Sequence, residues 1–356
     1  MASSELDTWL AAALDPQPAP AGVSSSDIVR SAIAFTGPPR IPYSFVDGLG
    51  SDFFELAELE RILDRCAAGG ERQAGESYRD EWGVGHEVAP GLFDRVVDHP
   101  LANLARLDTY RFPDVAAVER NRRLELHVRR AREVGKYVVA GDPVLLFERL
   151  RSLMGFEAMM LAPMEQRSRL EDLLDRLTDL TVASVERFAQ LRDVDAFMTW
   201  QDFGLQTQLA ISLESFRDLY APRLERVVSA VHAAGMHYIW HCCGQISDLI
   251  PEMIAMGVDV VQLDQPQILG HARLATDFGG RICFWNAVDT LWATRGDLSD
   301  DALRAEVAAM TEPFRDLHGG FMARHYPQPQ DIGLSRHFHE VTAAAFRAAA
   351  PAGDGA

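Results

Sequence analysis

No apolar run in this chain approaches the ~20 residues that a bilayer crossing needs, although 47% of its 356 residues are hydrophobic. A membrane-spanning helix is not expected. The opening MASSELDTWLAAALDPQPAP puts no basic residue ahead of its short apolar patch, which argues against a secretory or mitochondrial leader. Cysteine is scarce. The four, at positions 66, 242, 243 and 283, lack the spacing of a disulfide framework and include no CxxC pair for a structural zinc knuckle, so a reducing cytoplasm is the expected home. Basic residues are outnumbered, 34 against 52 acidic ones, and the net charge of -18 repels nucleic acid and anionic membranes. The expected partner is a small molecule. An anionic one stays allowed, because a local arginine outweighs distant surface charge.

Also missing is a long low-complexity linker, so two separate domains are not expected. Residues 1–25 read as a flexible N-terminal arm, rich in Ala, Pro and Ser from about position 12, and residues 26–350 as one domain. The terminal PAGDGA is expected to fray.

What is present is a rhythm. KYVVAG and DAFMTWQDFG read as strands separated by a helical stretch from about 144 to 191. SFRDLYAPRLERVVSAVHAAG crosses over to the strand HYIWHCC. The short helix SDLIPEMIAMG then ends at Gly257. VDVVQLD, RICFWNAV and GFMARHY follow as strands, each succeeded by a helix, one of them with Ser299 at its N-cap. Repeated strand–helix units predict a parallel sheet covered by helices. With no G-x-G-x-x-G at a strand end, they predict a (β/α)8 TIM barrel with an N-terminal elaboration, an open doubly wound sheet being the rival.

A barrel gathers the C-terminal ends of its strands around one mouth. Trp200, Gln201, Asp202, His241, Cys243, Asp264, Gln265, Asn286, Asp289, Arg324 and His325 fall at such ends, where packing poorly explains polar groups. Strand alternation lets His241 and Cys243 share one side while Cys242 faces the helices. One nitrogen and one sulfur suit zinc. His325 ends the strand GFMARH and is the candidate third ligand, leaving a fourth position for substrate, water or an acidic residue. Cys283 lies mid-strand and reads as core. Two alternatives stay open on the residues alone: the thiols are buried packing, or His325 orients a substrate carboxylate with Arg324 contributing or pointing away.

Several segments together carry a resemblance: DFGLQTQLAISLESFRDLYAPRLERVV, HAAGMHYIWHCCGQISDLIPEMIAMGVDVVQLDQPQ, FGGRICFWNAVD, GGFMARHYPQPQDI, DEWGVGHEV and HPLANLARLDTYRFPD. The chain resembles the uroporphyrinogen decarboxylase superfamily over about residues 25 to 345. Within it, the closer likeness is to the methylcobamide:coenzyme M methyltransferases and demethylase components. The resemblance implies a (β/α)8 barrel, zinc held by the H-x-C pair, here His241 and Cys243, and a further ligand near the last strands. That branch has a cysteine there; this chain has MARHYPQ and His325. It also implies methyl transfer with a corrinoid carrier, and it allows a homodimer. DLHGGF, at Asp316–Phe321, does not complete the D-x-H-x-x-G loop of a corrinoid module, so a corrinoid would come on a separate protein. RIPYSFVDG stands where true decarboxylases resemble MRQAGR, which argues against a porphyrinogen substrate.

The leading expectation is thus a zinc-assisted methyltransferase. Asp202, Asp289 and His325 are its candidate catalytic residues, with Trp200, Gln206, Asp264, Gln265, Asn286, Arg324 and Tyr326 around the substrate. For Asp202, Asp289, Gln206 and Asn286 a plain capping or strand-end hydrogen bond is the competing role. The alternative activity is a metal-free carboxy-lyase in which Asp202 or Asp80 stabilises a cationic intermediate. A silent binding protein on the same barrel is the third reading.

Overall fold

The computed structural model describes residues 2–67, 72–89, 94–296 and 298–349; PAGDGA lies outside them. Eight strands carry the architecture: β1 (Tyr43–Ser44), β2 (Phe53–Glu55), β3 (Tyr137–Gly141), β4 (Ala196–Trp200), β5 (His237–His241), β6 (Val260–Leu263), β7 (Cys283–Ala287) and β8 (Phe321–Arg324). They pair in the order β1-β8-β7-β6-β5-β4-β3-β2, every ladder parallel. The result is a nearly closed (β/α)8 barrel. Between β1 and β2 no parallel ladder forms. The turn after β1 bridges that seam through an antiparallel pairing of Ser44 with Ser51.

Each strand divides its side chains between two cores. Phe53, Tyr137, Val139, Met198, Ile239, Cys283, Trp285 and Met322 fill the barrel interior. Their alternate neighbours, among them Phe54, Val138, Phe197, Trp240, Phe284 and Ala323, pack against the helices. Helix Ser25–Ile33 sends Val29, Ala32 and Ile33 into the inner core and so plugs the end of the barrel where the strands start. It begins at a capping box in which Ser24 and Asp27 satisfy each other's backbone N–H groups. At Gly257 and Ser299 the anticipated helix ends are present: Gly257 is a left-handed C-cap, and the Ser299 hydroxyl accepts from Ala302 N. DLHGGF is a helix end followed by a turn, with His318 at φ 54.

Two features differ from the sequence reading. Within the expected flexible arm, Ala2–Ala13 is a helix. Its apolar stripe finds a surface to cover: Leu10 is buried and the Trp9 ring lies 5.2 Å from Phe54. Downstream, Lys136 (the only lysine in the chain) donates to the carbonyl of Asp15 at 2.5 Å and to that of Ser51, tying this segment to the barrel. Second, an antiparallel sheet of Ser77–Arg79, Gly85–Glu87 and Arg95–Asp98 is inserted between β2 and β3. Asp80 serves a turn there, accepting from Trp82 N and Val84 N at 2.9 Å each.

Candidate metal centre

Alternation sorts the strand ends into those that face the mouth and those that do not. Trp200 lies in register with His241, and His241 with Gln262, so these inward residues form one rung across three strands. On the other side of the barrel Arg324 lies in register with Ser44. Just past the ends of these three strands, Asp202, Cys243 and Asp264 lie beside the same rung at the mouth.

Three of these converge. His241 Nε2 is 3.4 Å from Cys243 Sγ and 3.6 Å from Asp202 Oδ1. Asp202, His241 and Cys243 are the group of three among the described residues whose ligand atoms all lie within 4.8 Å of one another. Around a tetrahedral ion with bonds of ~2.0–2.3 Å, ligand atoms stand roughly 3.3–3.8 Å apart, so the two distances from His241 fit such an ion. One nitrogen, one sulfur and one oxygen suit zinc, and three protein ligands leave a coordination position open, the pattern of a catalytic site. Without a cation the Cys243 thiol is held protonated: burial raises its pKa most, and the nearby Asp202 and Asp264 add to it. A bound dication reverses that preference, because its charge stabilises the thiolate.

Asp202 reaches Cys243 because two glycines let two loops touch. A Cβ at Gly204 would sit 2.2 Å from the Cys243 carbonyl oxygen, and one at Gly244 would sit 2.5 Å from that of Leu205. Gly244 also has φ +80. The loops after β4 and β5 therefore lie backbone to backbone, and Asp202 Oδ1 accepts from Cys243 N at 2.8 Å. Behind the cluster sits Glu148, whose carboxyl is pushed up to about 7, chiefly by burial and secondarily by Asp202. His241 Nδ1 faces Gln262 Oε1, and Gln262 Nε2 donates to Asp264 Oδ1.

The remaining candidates disperse. Cys242 faces the helix layer and is fully buried there, and Cys283 lies in the inner core at the first residue of β7. His325 is not brought to the pair. It follows inward-facing Arg324 and therefore points outward, its ring 4.5 Å from Phe45 and its Nε2 3.1 Å from Thr342 Oγ1. That placement removes it as a ligand and as a catalytic group at this mouth. Arg324 faces in but is engaged: its two terminal nitrogens meet the Glu55 carboxylate at 2.9 and 3.1 Å, over the Trp285 ring. Gln201 and Asn286 face outward, and Gln201 Oε1 accepts from Phe147 N at 2.6 Å. Asp289 spends its two oxygens on backbone N–H groups of Trp292 and Gln267. Gln206 and Gln265 meet each other at 3.3 Å on the loops. Tyr326 is half-buried, and its pKa is pushed up to about 12 by burial first and then by Asp264. Glu55, Glu148 and Gln262 were not singled out from the sequence. Alternation points to Gln262, two residues before Asp264, but no local signal marks the other two.

A family model, that of uroporphyrinogen decarboxylase, matches residues 94–323, well over half of the chain. The chain belongs to the uroporphyrinogen decarboxylase family. Among solved structures it is similar to a methyltransferase from Methanosarcina mazei, with a TM-score of 0.61 at 14% identity over 91% of this chain and 98% of that one. That likeness shows a shared fold. An intracellular xylanase from Thermoanaerobacterium saccharolyticum is also similar, with a TM-score of 0.38 at 12% identity, covering 61% of this chain and 74% of that one. No curated protein matches the sequence. The family match takes in Asp202, His241, Cys243, Gln262 and Asp264. It stops one residue short of Arg324, and β1 and β2 with Ser44 and Glu55 precede it.

Outside the mouth of this family barrel, His325 carries a separate consequence. The Thr342 hydroxyl donates to Phe338 O at 2.8 Å, so His325 Nε2–H donates to Thr342. Burial, then His339 and Arg347, hold the His325 pKa well below its ordinary value, and the folded ring stays neutral. The unfolded chain takes up a proton near pH ~6.5, so below that pH it binds more protons than the folded chain. This residue's share of stability should fall by about 1.4 kcal/mol per pH unit below ~6.5 and be level above it. Urea melts of wild type and His325→Gln across that range read it as a difference in pH slope. Equal slopes would refute it.

Proposed function

We propose that this protein is a methyltransferase that holds zinc with Asp202, His241 and Cys243 and moves a methyl group between a small thiol or hydroxyl compound and a carrier. The observation that carries this reading is the convergence of one nitrogen, one sulfur and one oxygen on the mouth of the barrel. Bound there, zinc would lower the pKa of the reacting thiol or hydroxyl and present it as a nucleophile. The residues around it do the rest. Asp202 and His241 would hold the ion in fixed orientations, because each is held by a second contact, Cys243 N for the one and Gln262 for the other. Asp264, 8% exposed and facing the same mouth, is placed to accept the proton that the nucleophile gives up. Trp200 and Tyr326, both half-buried, provide aromatic surface for the substrate's apolar part. The methyl carrier would be a corrinoid on a separate protein docked at the mouth. A decarboxylase needs a cation free to grip a carboxylate, whereas Arg324 is already paired with Glu55.

The test is methyl transfer from methylcobalamin to a panel of small thiols and alcohols, followed by loss of the methylcobalamin absorbance and by detection of the methylated product. Turnover is expected with zinc and not in Cys243→Ala. Metal-independent carbon dioxide release from a carboxylate panel, with no methyl transfer, would replace this reading with the lyase.

A further inference from the structure

We infer that Gln262 is a positioning residue: held by Asp264, it fixes His241 as the tautomer protonated on Nδ1 and so leaves Nε2 bare beside Cys243 and Asp202. The tautomer follows from this chain's own hydrogen bonds; its use in binding a metal rests on the reading above.

β6 sets Gln262 in register beside His241, and the two residues are 1% and 7% exposed, so water does not settle their hydrogen bonds. An amide has one donating and one accepting end, and a carboxylate only accepts. Gln262 Nε2 lies 2.8 Å from Asp264 Oδ1. The amide is thereby oriented, since turning it over would set its oxygen against the carboxylate. Its accepting Oε1 is then the atom 2.5 Å from His241 Nδ1. An amide oxygen cannot donate, so the proton between them belongs to Nδ1. The opposite tautomer would press two lone pairs together at that distance inside the barrel, without water to relieve them. In the neutral ring Nε2 is then left with its lone pair directed at the space 3.4 Å from Cys243 Sγ and 3.6 Å from Asp202 Oδ1.

Asp264 is itself anchored, its carbonyl accepting from Thr290 N at 2.9 Å and from Thr290 Oγ1 at 3.1 Å. The order of command therefore runs from β6 to the ring. Asp264 sets the amide, the amide sets the proton, and the proton sets which nitrogen is offered. A histidine ligand whose other ring nitrogen donates to a fixed acceptor enters coordination already turned and already in the right tautomer.

The experiment uses the full-length, metal-free protein with 15N-labelled histidine, and long-range 1H–15N NMR reads the His241 tautomer, assigned with His241→Gln. The expected result is a protonated Nδ1 and a bare Nε2. Gln262→Met, which keeps the volume and removes the acceptor, and Asp264→Asn, which frees the amide to turn, should both lose that single state. Zinc affinity, measured by competition with a chelator, should fall about 10–100-fold in each. The double variant Gln262→Glu with Asp264→Asn restores an acceptor without setting two carboxylates together, and should recover both the tautomer and the affinity. A bare Nδ1 in the wild-type protein overturns the inference. So does unchanged zinc affinity in variants that fold and have lost the tautomer. If the wild type binds no zinc, the metal reading fails, and the NMR result alone decides whether Gln262 fixes the ring.

Discussion

If the proposed zinc is bound, replacing Cys243 with alanine is expected to strip it from the protein, whereas replacing Cys242 leaves it in place. The two thiols are neighbours in sequence and opposites in space. Cys243 Sγ stands 3.4 Å from His241 Nε2, and Cys242 is buried among the residues that pack on the helices. Losing an outer-sphere partner of a metal ligand costs about 10–100-fold in affinity, so losing one of three direct ligands should cost more than about 100-fold. Zinc per chain after purification without chelator or polyhistidine tag should fall from about one equivalent to below about a tenth in Cys243→Ala. Asp202→Ala should also lose metal, and His325→Ala should not, which separates the observed cluster from the one expected on sequence grounds. Cys242→Ala should retain zinc and lose only the packing of a small buried side chain. Equal zinc content in the Cys243 and Cys242 variants would remove the metal centre from consideration.

The second large effect is expected at the opposite wall of the barrel. Arg324 is 4% exposed and meets Glu55 through two parallel hydrogen bonds, with Ser44 Oγ adding a third contact to the same carboxylate at 3.1 Å. Glu55→Ala leaves a guanidinium buried without its counter-charge, and Arg324→Met leaves the carboxylate facing the same space. Each should lower the unfolding free energy by about 3–5 kcal/mol. Removing both charges in Glu55→Leu with Arg324→Met should cost less than either single change, because no uncompensated charge remains. Urea denaturation of the four proteins measures this. Single variants within about 1 kcal/mol of wild type would show that the pair is solvated and contributes as a surface pair does. This pair also stitches β8 to β2 across the seam that lacks a parallel ladder, so its loss should be felt in barrel closure.

Much of the architecture is legible without coordinates. The strands of the second half are apolar on both faces because the inner core takes Ile239, Val260, Trp285 and Met322 while the helices take their neighbours. Runs of that kind, broken by Gly257 and Ser299, allow few layouts besides a parallel sheet under helices. His241 and Cys243 are likewise legible as a pair, since two residues apart in a strand is the same side whatever the fold. The N-terminal helix was harder to see. A dozen residues beside a Pro-rich stretch gain their order from a hydrophobic surface that a distant part of the chain provides, and the packing of Trp9 on Phe54 has no trace in local sequence.

Alternation is a statement about neighbours and not about direction: it says that Arg324 and His325 point opposite ways and is silent on which of them enters the barrel. Tertiary structure decided that, by seating Met322 in the inner core and Phe321 and Ala323 against the helices, which sends Arg324 in and His325 out. The same holds for Asp202. Its approach to Cys243 depends on two loops, 40 positions apart at Gly204 and Gly244, coming together at distances no side chain would permit. A ligand set built across strands is fixed by barrel closure and loop contact, both of them long-range; the period-2 pattern within one strand was enough for His241 and Cys243 and could reach no further.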